Sequence, residues 1–344
     1  MSTQLLTQLD HLPDGFLTTH AQQLHSLLPH PTLIHLPGRL KNPLFVSILL
    51  HGNEMTGLAA IQALLKKYLD RELPRALSIF VGNISAARHN LRRLEGQPDY
   101  NRIWPGSEAP SSPETAMAQQ VFDEMSKRSP FASIDVHNNT GLNPHYACIN
   151  KLGQPFFHLA ALFSRTAVFF TYPKGVQSAA FAELCPAVTL ECGKPDQKQG
   201  AEHALEFIES CLHLSEHPQH PIAHNDIELF HTVAQVKIRE NCSFSYQRND
   251  VDLALDSDLD HMNFTELPSG TIFGKSRSST QLPVIVRNDN GDEMSDRFFS
   301  LHNSNLTIKK PLMPAMLTLD ERVIEQDCFC YLMERMPYDL IKTA

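Results

Sequence analysis

The chain has 344 residues, 42% of them hydrophobic and 19% charged, with a formal net charge of −9 at neutral pH. These shares exclude a disordered chain, the length predicts two domains, and the acidic balance argues against nucleic acid or an anionic membrane surface as partner while leaving room for a local basic pocket. The opening MSTQLLTQLDHLPDG lacks a basic segment followed by an apolar one, no apolar run reaches 18 residues, and the seven cysteines lie scattered with no CxxC pair, so the expectation is no leader, no transmembrane helix, and reduced thiols in the cytoplasm.

In chain order, Phe16 to Leu28 is expected to be helical, with Asp14 as its N-cap. Pro31–Leu36 and Leu44–Leu50 read as strands, the second a continuous apolar run suited to burial on both faces. Leu58, Ile61, Leu64, Leu65 and Tyr68 recur at helical spacing and predict a helix over Gly57–Arg71. Ala76–Gly82 is a further strand, Thr115–Arg128 a helix and Phe131–Val136 a strand ending at His137. Ala167–Phe170 and Ala187–Glu191 are strands, and Ala201–Leu214 a helix. Strands alternating with helices imply a mostly parallel mixed sheet covered by helices on both faces, over residues 1–215.

Near residue 215 the pattern changes. SEHPQHPIAHND carries Pro218 and Pro221 among His217, His220 and His224, and reads as a solvated linker rather than a metal site. Beyond it, short alternating segments punctuated by Gly270, Pro283 and Pro311, with NDNGDE at 288–293 as a hairpin signal, predict a smaller antiparallel β domain over 225–340. Cys328 and Cys330, one residue apart among apolar neighbours, read as strand residues rather than a metal site.

The chemistry concentrates at predicted strand ends, where open α/β sheets place their ligand crevices. FVSILLHGNE delivers His51 and Glu54 into a turn made by Gly52 and Asn53, a two-ligand metal grip of imidazole and carboxylate. SIDVHNNTG ends a strand at His137 and supplies a third donor; three protein ligands with one open position form the catalytic zinc pattern. Asp135, two residues earlier, shares His137's side of the strand, either as an acceptor orienting an imidazole or as a strand-end cap. VTLECG ends a buried strand at Glu191, which is either a general acid–base or the partner of Lys194 or an arginine. PDYNRIW places Asn101 beside Arg102, a fork suited to a substrate carboxylate. RHNLRRLEG offers Arg88, Arg92 and Arg93, any of which can polarise a carbonyl or sit solvated.

Together, HGNE, then Gly82-Asn83 with an arginine-bearing loop and D-x-N-R, then D-x-H-N, then a strand ending in glutamate resemble the succinylglutamate desuccinylase/aspartoacylase family of zinc carboxypeptidase-like hydrolases, across roughly residues 44–200. DHMNFTELPSGTIFG resembles, more loosely, that family's C-terminal β domain. The resemblance implies His51, Glu54 and His137 as ligands of one Zn2+ per chain, Glu191 as general base, and Asn101 and Arg102 as holders of a substrate carboxylate. It implies Arg92, nine residues after Asn83, as the carbonyl-polarising arginine; counting back from Asn101-Arg102 points to Arg93 instead, so that choice stays open. The expected activity is hydrolysis of the amide bond of a small N-acyl amino acid bearing a carboxylate, with neither nucleic acid nor membrane as partner and homo-oligomerisation open. A carboxypeptidase acting on short peptides and a non-catalytic zinc-binding protein are the rival readings. DVHNNTGLNPHYACIN and ECGKPDQKQG mix features of the family's branches, so the resemblance implies the reaction and not the acyl group.

Overall fold

The computed structural model describes residues 5–344; the first four residues of the stretch read as lacking a leader lie outside them. A twelve-stranded mixed sheet forms the centre. Its order runs Thr7–Leu9, Thr32–Leu36, Leu73–Val81, Gly38–Ile48, Ala132–His137, Ala187–Glu191, Tyr146–Ile149, Thr166–Phe169, Glu228–Ile238, Cys330–Arg335, Met313–Ala315, with Val284–Asn288 also paired to Glu228–Ile238. The four strands from Leu73–Val81 to Ala187–Glu191 are parallel neighbours, so their carboxyl ends share one edge.

Helices explain why the central run is apolar without alternation. Phe45 and Ile48 point to opposite faces of their strand, as residues of odd separation must. On one side Phe45 stacks on Phe181 of helix Gln177–Phe181, with ring centroids 4.4 Å apart, and Phe122 of helix Pro113–Arg128 meets the same ring edge-on. On the other, Gly57 of helix Thr56–Lys67 lies against Ile48 and Val136 so closely that a β-carbon would press into both. Helix Lys198–His213 packs beside Thr56–Lys67. With both faces covered, Leu44–Ile48 is entirely buried.

The predicted strands and helices of residues 30–215 are present, most shifted by a few residues. Phe16–Leu28 is different: the chain turns at Gly15, which adopts φ +85°, and only a short 3-10 helix, Ala21–Ser26, forms, with His20 rather than Asp14 at its N-cap position. Phe16, Ala21, Leu24 and Leu28 are buried all the same, so tertiary packing satisfies the apolar spacing without an α-helix. Strand Tyr146–Ile149 and helices Gln154–Phe163 and Gln177–Phe181 had no counterpart in the sequence reading.

From Glu228 onward the chain supplies strands to two sheets. Glu228–Ile238 pairs parallel with Thr166–Phe169 and so extends the large sheet. The smaller, five-stranded sheet runs Phe244–Ser245, Leu253–Leu255, Ile272–Ser276, Asn305–Ile308, Phe299–His302. It is antiparallel except at the Phe244–Ser245 edge. NDNGDE turns tightly, with Asn288 N donating to Asp292 O at 3.0 Å and Gly291 at φ +86°. Cys328 and Cys330 are buried and all seven cysteines are unpaired. His217 stacks on Phe131, centroids 4.1 Å apart, and its Nε2 faces the Phe131 carbonyl at 2.8 Å, so the linker histidines serve packing. Among the described residues, no helix is long and apolar enough to cross a membrane.

The strand Gly38–Ile48 ends on Leu49, buried at φ 56°, a left-handed conformation that costs a branched residue roughly 1–3 kcal/mol. Gly82 N donates to Ile48 O and Asn83 N to Leu49 O, which holds the bend. Gly52 follows in such close approach that a β-carbon would collide with Ala86 and the Ala87 nitrogen, and its own N–H donates to Arg92 O at 3.1 Å. The HGNE turn thus docks directly on the Arg92 loop. Gly52→Ala is expected to lose roughly 3 kcal/mol of stability through this overpacking, read as a lowered denaturant midpoint.

Candidate active site

His51 leaves the central strand through the bend at Leu49, and His137 ends the adjacent parallel strand. Glu191 ends the next strand and stands in register with His137. Neighbouring strands lie about 4.8 Å apart, so three strand ends distant in sequence converge. Glu54, one turn after His51, reaches between the imidazoles. Its Oε1 lies 2.8 Å from His51 Nδ1 and its Oε2 2.8 Å from His137 Nδ1, and Asn138 N donates to Oε2 at 3.2 Å.

Each imidazole is held from behind by a carboxylate. His51 Nε2 meets Asp99 Oδ1 at 2.9 Å; His137 Nε2 meets Asp135 Oδ2 at 2.7 Å. Ser47 Oγ donates to Asp135 Oδ1 at 2.6 Å, tying that carboxylate to the central strand. Asp135 therefore orients an imidazole rather than capping the strand. With both Nε2 atoms committed outward, both Nδ1 atoms point inward at Glu54. His51, Glu54 and His137 each offer one ligand atom within 4.8 Å of the others. They form the one group of three or more such side chains with this geometry among the described residues.

The electrostatics favour a cation at this point. Burial by itself lowers the His137 pKa, yet Asp135 and Glu54 reverse the effect and hold it well above the usual imidazole value. His51 is raised despite its burial and the nearby Arg92, because Glu54 and Asp99 face it. Burial works to raise Glu54, and the two imidazoles overcome it and lower the carboxyl. Two neutral imidazoles and one carboxylate, each fixed from outside, fit a single Zn2+ with a position to spare.

Glu191 is different in kind. It is buried, and Asn139 Nδ2 donates to its Oε2 at 3.3 Å. No ion pair involves it among the described residues, so Lys194 does not pair with it. Burial pushes its pKa up to about 7, with Glu54 adding to the rise and His137 opposing it. A carboxyl poised near neutrality can both take and give a proton.

Arg92 and Arg93 are separated clearly. Arg92 lines the pocket, with Nη2 donating to Asp99 Oδ2 at 2.9 Å and to Asp327 Oδ2 at 3.2 Å, and Nη1 3.8 Å from Glu54 Oε1. Its buried Nε has no partner. Arg93 turns away and donates to Gln97 O at 3.2 Å, and Arg88 is exposed. Arg102 lines the pocket, donating from Nη1 to Asn101 O at 2.7 Å and from Nη2 to Asp327 Oδ1 at 3.4 Å. Asn101 is spent largely on the wall: its Oδ1 accepts from Gln177 N at 2.9 Å and its Nδ2 lies 3.3 Å from His137 Nε2.

The cavity around these groups encloses about 720 Å³ of empty space, open solvent at its mouth included. Its lining combines polar groups, among them His51, Glu54, Arg92 and Arg102, with an apolar cluster of Tyr146, Val168, Phe170, Met316 and Met333. The sequence reading missed Asp99, Asn138, Tyr146 and Asp327. Asp99 had a signal, being the acid of D-x-N-R. Asn138 Nδ2 joins Thr56 Oγ1 and Gly193 O, both at 2.9 Å, and so ties two loops at the ligand cluster; as the residue after His137 it too was legible. Asp327 lies 225 residues beyond Arg102 and carried none.

The fold defines the class: a mixed α/β protein with the zinc carboxypeptidase-like fold. Residues 43–217, half the chain, match the family model described as the succinylglutamate desuccinylase/aspartoacylase catalytic domain. The chain belongs to that family, whose members are deacylases. No match among curated protein sequences accompanies it. Among solved structures, a succinylglutamate desuccinylase/aspartoacylase from Rhodobacter sphaeroides is similar at TM-score 0.60 and 12% identity, over 89% of each chain. Murine aminoacylase 3 is similar at 0.54 and 14%, over 87% of this chain and 96% of that one. The succinylglutamate desuccinylase from Chromobacterium violaceum is similar at 0.52 and 17%, over 79% and 85%. At these identities the shared feature is the fold.

The raised Glu191 pKa has a consequence for stability. Its folded value of about 7 exceeds the ordinary 4.5, so folding favours the neutral carboxyl. That preference costs nothing below about 4.5, grows as pH rises from there to about 7, and is constant above. Metal-free Glu191→Gln should therefore be more stable than metal-free wild type at pH 8, by at most roughly 3 kcal/mol. The difference should close as pH falls to 5, read by urea unfolding at both values.

Proposed function

We propose that this chain hydrolyses the amide bond of small N-acyl amino acids, using one zinc ion held by His51 Nδ1, Glu54 and His137 Nδ1. The observation that carries the reading is the pair of inward-facing Nδ1 atoms on one glutamate, each imidazole locked by its own carboxylate, beside a buried glutamate with no ion-pair partner. When bound, zinc supplies Lewis acidity that brings the ionisation of water toward neutral pH.

The chain's own residues do the rest. Glu191 takes the proton from the attacking water on a carboxylate oxygen and returns it to the departing nitrogen. Arg92, already directed into the pocket, donates to the carbonyl oxygen as negative charge develops there. Arg102 grips a substrate carboxylate, and Asn101 keeps Arg102 in place through its backbone carbonyl. Asp99 and Asp135 keep the imidazoles in the tautomer that presents Nδ1 inward. The C-terminal segment closes the cavity with Met316, Asp327, Tyr331 and Met333, which favours a small acyl amino acid over a peptide. The seven unpaired cysteines accord with a cytoplasmic location.

Hydrolysis of N-acetyl, N-formyl and N-succinyl amino acids, set against dipeptides, tests the activity; release from dipeptides alone would favour the carboxypeptidase reading. Glu191→Gln is expected to keep zinc, by elemental analysis, while slowing turnover at least about 100-fold; unaltered turnover would remove Glu191 from the mechanism. His51→Ala should lose the metal itself. Asp99→Asn, which spares every ligand, should weaken zinc affinity about 10- to 100-fold in a chelator competition.

A further inference from the structure

Asp327 follows the short helix Glu321–Gln326 and carries the one carboxylate that the C-terminal segment brings into the pocket lining. Its side chain is 15% exposed. It places one oxygen on each arginine of the site: Oδ2 accepts from Arg92 Nη2 at 3.2 Å and Oδ1 from Arg102 Nη2 at 3.4 Å. This is the position that a carboxylate bridging the two guanidinium groups would take.

The donor count is restrictive. A guanidinium has five N–H groups. On Arg102, one is committed to Asn101 O and one to Asp327, leaving enough for a single incoming carboxylate. On Arg92, Nη2 serves Asp99 and Asp327 together. The charges agree: Arg92 already faces Asp99, Asp327 and, at 3.8 Å, Glu54, whereas Arg102 contacts Asp327 alone among the carboxylates, and among the described residues no other lysine or arginine lines the cavity. Arg102 can thus still take one substrate carboxylate, while a second would enter a low-dielectric site next to Asp327 and find the bridging position between the arginines already filled. The cavity is also lined by the apolar cluster of Tyr146, Val168, Phe170, Ala315, Met316 and Met333, which rewards an apolar group.

We propose that Asp327 is a specificity-determining residue: by filling the bridge between Arg92 and Arg102 it admits N-acyl amino acids with one carboxylate and an apolar remainder, and rejects those with two. The selection is repulsive as well as attractive, and so works by excluding a competitor. It rests on the deacylase reading above, and deepens it from the reaction to the substrate class.

The test compares zinc-loaded wild type, Asp327→Asn and Asp327→Glu on N-acetyl-L-methionine and N-acetyl-L-aspartate. Wild type is expected to favour the methionine derivative in kcat/KM by at least about 100-fold. Asp327→Asn should narrow that ratio at least about tenfold, chiefly through a lower KM for the aspartate derivative. Asp327→Glu, which keeps the charge, should retain the wild-type preference. Calorimetric binding of glutarate and butyrate to the same three proteins reads the pocket without any hydrolysis. Asp327→Asn should bind glutarate at least about tenfold more tightly than wild type does, with a smaller change for butyrate. A wild type that prefers the aspartate derivative, or a glutarate affinity unmoved by Asp327→Asn, overturns the proposal. Absence of hydrolysis in the whole panel, with the glutarate shift present, would sink the deacylase reading and leave the role of Asp327 in anion selection standing.

Discussion

A single carboxylate, Glu54, divides its two oxygens between His51 and His137 at 2.8 Å each, and the surrounding architecture serves that contact. A buried ionised carboxylate is expensive unless it is paired or bound to a cation. Here the pairing is assembled from two strand ends and the turn between them. The cost of the left-handed Leu49 and of the close approach at Gly52 is met by the rigidity of a sheet packed on both faces. Once Glu54 is fixed, the carboxylates behind it determine which nitrogen of each imidazole faces inward.

That arrangement repeats itself. His51 has Asp99 and His137 has Asp135, so each imidazole is gripped at both ring nitrogens. One carboxylate arrives from a loop and the other from the same strand as its histidine. Although the means differ, both produce the same tautomer, which points to geometry at the Nδ1 atoms as what the site requires. Glu191 stands in contrast, buried without a charged partner and held near neutrality by desolvation. Stability and chemistry pull apart at that residue, because the environment that readies it for proton transfer also disfavours its ionised form in the folded chain.

The pocket's second layer of control comes from the far end of the chain. Residues beyond 310 supply Met316, Asp327, Tyr331 and Met333 to a cavity that His51, Glu54 and His137 also line. Strands Glu228–Ile238 and Cys330–Arg335 extend the large sheet instead of standing apart from it, which carries these groups to the cavity on a rigid frame. The His51–Glu54–His137 cluster and the C-terminal lining of the cavity are thus parts of one hydrogen-bonded structure with separate origins in sequence.

Much of this was legible in the sequence. Apolar runs ending in HGNE, DVH and TLE marked the strands, because a strand buried on both faces has no polar positions to spare. Polar residues at the ends of such strands marked His51, Glu54, His137 and Glu191 for the same reason. The helix expected over 16–28 failed because apolar spacing there is satisfied by packing after a turn at Gly15, and periodicity alone does not distinguish the two. Arg92 and Arg93 are equivalent as neighbours in sequence and separate only when Gly52 docks on the Arg92 carbonyl. Asp327 was silent, since a carboxylate near the C-terminus has no local pattern that reports which arginines it will meet. Local burial makes the residue types of the strand-edge cluster, and the strands that carry them, readable from the chain alone. Tertiary structure alone decided which arginine enters the pocket and which carboxylate answers it, because those contacts depend on strand order and on sheet continuity across more than two hundred residues.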